Sequence, residues 1–496
     1  MKKAKEVLKK VGPGLATGIL LMLAFPPFGF ALVLLVALVP WLISLREMDH
    51  KQAWKSGYGM GIWYGASQLF WVFGFILRWT GSPVYGAIPW VIVTILFAIY
   101  YGLVGMAISK CYRADKGWMI PLVWAGMETF RSYIPILAFP WSLLAAPLGR
   151  YPEFIQGAYF GTIFLVSAAL VAVNVLAAEV FGKPKGRTWI AMAVWITVYL
   201  ALNFGRAAMQ TDTKPVRVGL LQPGEDLAFG DSNTEFTRLL SRFGELLPIA
   251  LDSEPELIVM PEGITSAPTM PPSVPFYLPE KTPVLFGGQR SKKPTFQSAF
   301  LFSNQSWKYA DKTRLVIFGE FVPFRQYLPK GFNLPSGDLE ESKDGLKQFT
   351  LPFAKVGPIL CFEALFPDIS WRHANSGTTM IAVMSIDDWF MGTPAIEQLR
   401  TASVWRAVET GNPIARVGGL GATFAVTGRG VVLDEAPIGP PAAMVVELPV
   451  PKKPSSFIGT LAFPVISLGF FWAGVLFRFS NPTHGKKNRG KNKVVS

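Results

Sequence analysis

The chain has 496 residues, of which 51% are hydrophobic and only 16% charged, with a mean hydropathy of +0.34. Soluble domains carry about a quarter charged residues, so the composition excludes a wholly soluble chain while leaving room for a folded polar domain beside a membrane part. The net charge of +14 does not point to nucleic acid, because the basic residues sit at the chain ends and in short loops between apolar runs, not interleaved with aromatics. With two cysteines, Cys111 and Cys361, and three histidines, His50, His373 and His484, a Cys/His metal site is not expected, nor is a cofactor.

In chain order, Lys2, Lys3, Lys5, Lys9 and Lys10 precede an apolar run without a small-residue cleavage site, which reads as an uncleaved first span. Seven apolar spans are predicted at 11–26, 29–46, 57–77, 86–109, 117–136, 156–181 and 188–205, with an eighth at 456–478. Each approaches the ~20 residues that cross a hydrocarbon core. Phe25-Pro26-Pro27-Phe28-Gly29 reads as a tight turn between the first two. Arg46, Lys51 and Lys55 follow the second span, Lys110, Arg113 and Lys116 the fourth, Lys183, Lys185 and Arg187 the sixth, and Lys486, Lys487 and Arg489 the last. With eight spans all of these fall on one side, which puts both termini in the cytoplasm and the long segment between spans seven and eight outside. The two cysteines then lie on opposite sides, so no disulfide is expected. Glu128 and Arg131 share one face of the fifth span and are expected to pair, either as a structural pair or as a functional one.

The predicted organisation is a membrane domain over 1–205, a soluble domain over 206–455, the eighth span over 456–478 and a basic tail over 479–496. The soluble segment alternates short apolar runs with turns. Val216–Gln222, Leu257–Met260, Val284–Gly288, Val356–Cys361 and Thr379–Met384 read as strands, and residues 395–410 as a helix. Runs this continuously apolar suit a sheet covered by helices on both faces, hence an α/β domain.

Three polar residues stand at strand or loop ends there: Glu262 after Pro261, Lys312, and Cys361. Ligands bind at the carboxyl ends of strands in open α/β sheets, so Glu262 and Cys361 are expected at one edge. A thiol needs a base to become a nucleophile. His373 is the one histidine in the domain that could serve. A carboxylate base with a lysine is the other solution, with Glu262 taking the proton and Lys312 stabilising an oxyanion. Taken singly, each residue has a blander reading: a core cysteine, a solvated glutamate, a surface lysine.

The order Pro261-Glu262, Lys312, then Cys361-Phe362-Glu363 resembles the nitrilase (carbon–nitrogen hydrolase) superfamily. The stretch Lys-x-x-Leu-Val-x-Phe-Gly-Glu-x-Val-Pro from Lys312 to Pro323 resembles its apolipoprotein N-acyltransferase branch. Leu23–Gly29, Trp71, Trp124 with Glu128 and Arg131, Phe139-Pro140-Trp141, Gln156 and Asn174 are similar to that family's span signatures.

The resemblance implies an α-helical bundle of eight transmembrane helices plus a nitrilase-like αββα sandwich, in the bacterial inner membrane, with the catalytic domain in the periplasm. It implies Glu262 as general base, Lys312 as transition-state stabiliser and Cys361 as nucleophile, with Glu320 and Glu363 as supporting acids. Phe362, Trp389 and Phe390 are substrate-binding candidates. The implied reaction moves the sn-1 acyl chain of a phospholipid, typically phosphatidylethanolamine, through a Cys361 thioester to the α-amine of a diacylglyceryl-cysteine on an apolipoprotein. No nucleic acid partner is implied, and a monomer suffices. Pro268–Pro279 and Phe321–Leu334 are candidate arms at the lipid interface. The chain departs from the family pattern at Phe362 (commonly Tyr), Ile317 (Pro), Ile386 (Asn), Gln398 (His) and Gly419-Leu420-Gly421 (Asn-x-Gly), and Phe229 stands near a position usually held by Trp. Two alternatives share these residues: a membrane-tethered amidase that passes the acyl group to water, and a non-enzymatic scaffold.

Overall fold

The computed structural model describes residues 2–135, 137–182, 187–228, 232–267, 270–291, 294–327, 338–454 and 461–477. The amino-terminal half is helical: α1 (Lys2–Ala24), α2 (Val39–Leu45), α3 (His50–Gln68), α4 (Phe70–Thr80), α5 (Pro83–Arg113), α6 (Ile120–Tyr133), α7 (Ala158–Phe181) and α8 (Thr188–Ala208). By length and composition α5, α7 and α8 could each cross a membrane, and α3 with α4 makes a fourth if the pair, bent by 44°, is one span. The apolar helices Gly12–Ala24, Ala31–Leu45 and Ala462–Leu476 are shorter.

Local chemistry sets these boundaries. Asp49 caps α3 by accepting from the Lys51 and Gln52 N–H groups, and Gln52 bonds back to the Asp49 N–H. Gly81, at φ +68°, ends α4 in the left-handed conformation that glycine adopts without strain. Ser82 and Pro83 then open α5. Gly57 and Gly61 let α3 lie against α5: a Cβ on Gly61 would come within 2.8 Å of the Ala98 backbone.

Beyond α8 come β1 (Thr213–Gln222), α9 (Ser232–Leu251), β2 (Leu257–Val259), β3 (Thr265–Ala267), β4 (Val284–Arg290), β5 (Phe296–Ser303), β6 (Ser306–Asp311), β7 (Phe349–Thr350), β8 (Lys355–Leu360), α10 (Pro367–Asn375), β9 (Met380–Ser385), α11 (Ala395–Thr410), β10 (Ile414–Gly418), β11 (Phe424–Val426), β12 (Val432–Glu435) and β13 (Ala442–Pro451). They form two sheets, not the single helix-covered sheet expected from the apolar runs. One has the order β13-β1-β2-β4-β5-β6, with β3 beside β4; the other is β12-β11-β10-β9-β8-β7. Val218, Leu220 and Val259 of the first sheet meet Val356, Met380 and Ala415 of the second in a core between them. The outer face of the first sheet packs on α9 through Leu239, Phe243 and Leu246. Each sheet is therefore buried on both faces, by a layer of helix and by the other sheet. That explains the continuous apolar runs equally well.

The outer face of the second sheet packs on α10 and α11, and that layer continues into the helical bundle. Ile359, Ile381, Leu399 and Trp405 share one core with Trp41, Trp124 and Phe164. The chain returns to the bundle as α12 (Ala462–Leu476), which packs on α6 where Gly126 faces the Ser467 carbonyl.

Glu128 and Arg131 are both fully buried on α6 but do not bond each other. The Glu128 carboxylate accepts from the Leu144 N–H at 2.7 Å and Trp124 Nε1 at 3.2 Å. Arg131 donates to the carbonyls of Phe139, Trp141 and Ser142. The loop after α6 turns back over the helix, and its orphan backbone groups take both side chains. The expected ion pair is thereby replaced by two loop anchors.

Candidate active site

The catalytic candidates stand where strands end. β2 runs into Pro261-Glu262, β6 into Lys312 and β8 into Cys361. Cys361 has φ +47°, a left-handed conformation costly for a residue with a Cβ, and opens a short 3-10 turn, Cys361–Leu365. The expected strand thus stops one residue early, and the thiol projects from a sharp bend.

All three side chains are nearly inaccessible: Glu262 is 2% exposed, Lys312 1% and Cys361 8%. The Lys312 ammonium lies 3.6 Å from Glu262 Oε1 and 2.6 Å from Glu320 Oε1. Burial works against its charge, but the two carboxylates outweigh burial and hold the lysine charged. Burial pushes Glu262 up to about 7, against the pull of Lys312, with Glu320 adding to the rise. Gln297 of β5 hydrogen-bonds the same carboxylate. Burial pushes the Cys361 thiol up to about 12; Glu262 adds to this, while Lys312 opposes it. The resting sulfur is therefore a thiol, beside a carboxylate poised to titrate near neutrality.

Glu320 and Glu363 fix the frame. Glu320 grips Lys312 with one oxygen and accepts the Val316 N–H at 2.9 Å with the other. Glu363 Oε1 accepts from the Thr313 N–H, the Thr313 hydroxyl and the Arg314 N–H at 2.7, 2.8 and 3.1 Å, and its Oε2 accepts the Leu360 N–H at 3.1 Å. One carboxylate thus ties the loop carrying Lys312 to the turn carrying Cys361.

His373 lies on α10 with Nε2 3.0 Å from the Pro358 carbonyl. Burial pushes it down to about 3, so it stays neutral. The charged groups that act on Cys361 are Glu262, Lys312 and Asp387, and His373 is not among them. The geometry favours the carboxylate–lysine solution over a Cys–His pair.

Phe362 points into the core, edge-on to Phe366 at 5.2 Å. Trp389 and Phe390 sit at the seam with the bundle. Trp389 meets Phe75 at 5.8 Å, and Phe390 meets Trp71 at 5.2 Å and Trp141 at 6.2 Å. Trp141 Nε1 donates to Gln398 Oε1, and Gln398 Nε2 donates to Gln68 at the α3–α4 bend. Arg78 of α4 binds the Asp226 carboxylate and the Asp388 carbonyl, pinning that bend to the two-sheet domain. Of the two candidate arms, Tyr277, Phe324 and Tyr327 are strongly exposed. Residues 268–269 of the first arm and 328–334 of the second lie outside the described residues, as do Phe229 and the basic tail.

Sequence reasoning missed Ser385 and Asp387, which act on the thiol, and Arg416, which pairs with Asp387. The signal was present in Ser385-Ile386-Asp387-Asp388, a polar run closing an apolar strand.

Residues 17–176 match the family model for the apolipoprotein N-acyltransferase N-terminal domain, and residues 282–449 match carbon–nitrogen hydrolase. Lys312, Glu320, Cys361 and Glu363 lie within the second match, and Glu262 precedes it. An apolipoprotein N-acyltransferase of Geobacter metallireducens is 27% identical over 468 residues, covering 85% of this chain and 86% of its own. One of Gloeobacter violaceus is 28% identical over 444 residues, covering 85% and 84%. Among solved structures, a carbon–nitrogen hydrolase from Helicobacter pylori G27 aligns with a TM-score of 0.35 at 14% identity, over 47% of this chain and 89% of that one. A match to that N-terminal domain followed by one to carbon–nitrogen hydrolase, with relatives of one name along most of the chain, identifies the chain as an acyltransferase similar to the apolipoprotein N-acyltransferases.

Proposed function

We propose that the protein N-acylates the diacylglyceryl-cysteine at the amino terminus of apolipoproteins, taking the sn-1 acyl chain of a phospholipid through a thioester on Cys361. The observation that carries this reading is the buried Glu262–Lys312–Cys361 cluster beside the seam with an apolar bundle. In the first half-reaction Sγ attacks the ester carbonyl while Glu262 takes the thiol proton. The Lys312 ammonium faces the oxyanion of the tetrahedral intermediate. Collapse breaks the ester C–O bond, and the leaving alkoxide takes the proton from Glu262, releasing a lysophospholipid.

In the second half-reaction the neutral α-amine attacks the thioester, and Glu262 accepts the amine proton. The C–S bond breaks, the amide forms, and the proton returns to sulfur. Two steps through a thioester replace one direct ester-to-amide exchange. Both substrates are lipids with phosphatidylethanolamine the proposed donor, and the aromatic seam of Trp71, Trp141, Trp389 and Phe390 gives them an amphipathic rim.

The same reading places eight spans in the bacterial inner membrane, with both termini cytoplasmic, the catalytic domain periplasmic and one copy of the chain sufficient. Contacts at the two ends of the bundle support it. Arg46 pairs with Glu179 near the end of α7, and Lys110 at the end of α5 bonds the Val475 carbonyl of α12. These are ends that the basic loops assign to the cytoplasm. At the opposite ends, Arg78 of α4 and the carbonyl of Arg206 in α8 bond residues of the catalytic domain. A water-using amidase would have no use for that lipid-facing platform.

The test is mass spectrometry of a lipoprotein amino terminus from cells whose only such enzyme is this protein or its Cys361→Ala form. The wild type is expected to yield a triacylated terminus and the variant a diacylated one. A triacylated product from the variant would overturn the proposal.

A further inference from the structure

The carboxyl ends of β8, β9 and β10 lie side by side in parallel register, with Leu360 against Met384 and Ser385 against Gly418. One residue past the end of β8, Cys361 comes beside Ser385, within reach of its hydroxyl. The fully buried Ser385 Oγ also donates to Asp387 Oδ1 at 2.6 Å. Asp387 is itself held without the serine. Arg416 Nη2 contacts its two oxygens at 2.7 and 2.9 Å, and the Ala422 N–H reaches Oδ2 at 3.1 Å.

A serine hydroxyl has one hydrogen, and a carboxylate paired with arginine only accepts. While Ser385 donates to Asp387 it can offer Cys361 nothing but a lone pair. That arrangement suits a thiol, whose S–H donates to Oγ. It does not suit a sulfur that has given its proton to Glu262, because two electron-rich atoms would then face each other in a buried site. Turning the hydroxyl hydrogen toward Sγ removes the conflict. The turn leaves Asp387 satisfied, since Arg416 and Ala422 remain bonded to it.

We propose that Ser385 is a positioning residue whose hydroxyl moves its single hydrogen from Asp387 to Sγ as negative charge appears on sulfur, with the Asp387–Arg416 pair as its fixed anchor. The proposal rests on Cys361 being the nucleophile. It identifies a donor for the thiolate distinct from the acid–base pair. The charged groups acting on the thiol are Glu262, Lys312 and Asp387, with Glu320 and Glu363 acting through Lys312 and Arg416 through Asp387. Ser385 is the neutral group that can follow the charge without titrating.

The test is the pH dependence of Cys361 alkylation by iodoacetamide in the full chain in detergent, read from the Cys361 peptide by mass spectrometry so that Cys111 does not interfere. Ser385→Ala is expected to move the profile to higher pH by about half to one unit, the size of one hydrogen bond. It slows alkylation about 3- to 10-fold at any pH below the midpoint. Ser385→Thr, which keeps the hydroxyl, recovers most of the rate. With substrate, Ser385→Ala lowers kcat and leaves KM unchanged. A wild-type alkylation profile in Ser385→Ala, or Ser385→Thr as slow as Ser385→Ala, would overturn the proposal. Alkylation needs no lipid, so this outcome is separate from whether Cys361 carries a phospholipid acyl chain.

Discussion

Replacing Glu363 tests how the proposed nucleophile, Cys361, is held in place. Its carboxylate is 3% exposed and accepts three hydrogen bonds on Oε1 and one on Oε2, so water cannot readily replace it. In Glu363→Gln the amide oxygen keeps the three donors on one side, which turns the NH2 group toward the Leu360 N–H. Two donors then face each other in a buried site, at a cost of about 1–3 kcal/mol. Glu363→Ala orphans the N–H groups of Leu360, Thr313 and Arg314. At about 1–3 kcal/mol each the sum exceeds what single substitutions usually cost, so partial relaxation should leave a loss of about 4–5 kcal/mol. Thermal unfolding in detergent reads the stability, and acyl transfer reads the geometry. Glu363→Gln should stay folded yet lose about 100-fold in rate, because Leu360 adjoins Cys361 and a 1 Å displacement costs about that much. Wild-type unfolding and wild-type transfer in Glu363→Gln would refute the reasoning.

Glu262 makes activity and stability move oppositely with pH. Its folded value lies near 7 against an ordinary 4.5, so the native state holds the proton more tightly than the unfolded chain between those values. Its contribution to stability is complete below about 4.5 and is lost as pH rises through about 7, while the ionised carboxylate that the proposed mechanism needs as its base forms over the same window. Unfolding temperature and kcat/KM measured against pH should show the two opposed slopes, and Glu262→Gln should remove both. Gly287→Ala should cut activity strongly in a folded protein, because the new Cβ would stand 2.8 Å from the Glu262 Cα and 3.1 Å from its Cβ. Comparing its Cys361 alkylation and acyl transfer with wild type checks this, and intact transfer would count against a tightly positioned base. Gly126→Val should destabilise the bundle by about 3 kcal/mol or more through overpacking against α12, read as a lowered unfolding temperature.

Much of the site was legible because the relevant residues sit where short apolar runs stop. Glu262 and Cys361 close the β2 and β8 runs, and the lack of another histidine in the domain directed attention to Glu262 and Lys312. What the runs could not convey was pairing between distant segments. Apolar strands buried by two layers look the same whether both layers are helices or one is a second sheet, so the sandwich was not visible from periodicity. Ser385 was hidden for a related reason: it lies 24 residues from Cys361 in sequence, and only the register of β8 on β9 makes them neighbours. Glu128 and Arg131 share a helix face at the spacing of a pair, yet the returning loop 139–144 offers each a backbone partner that no local pattern announces. The bend between α3 and α4 was also absent from an even hydropathy run. It brings Trp71, Phe75 and Arg78 against the catalytic domain.

The central claim is that Cys361 carries the acyl chain. Incubation of the purified full chain with phosphatidylethanolamine labelled in the sn-1 acyl group, without acceptor, tests it most directly. The account predicts an acyl-protein that hydroxylamine cleaves, with the label on the Cys361 peptide and no label on Cys361→Ala. Label retained by Cys361→Ala, or found on Cys111 or on any other residue, would contradict it.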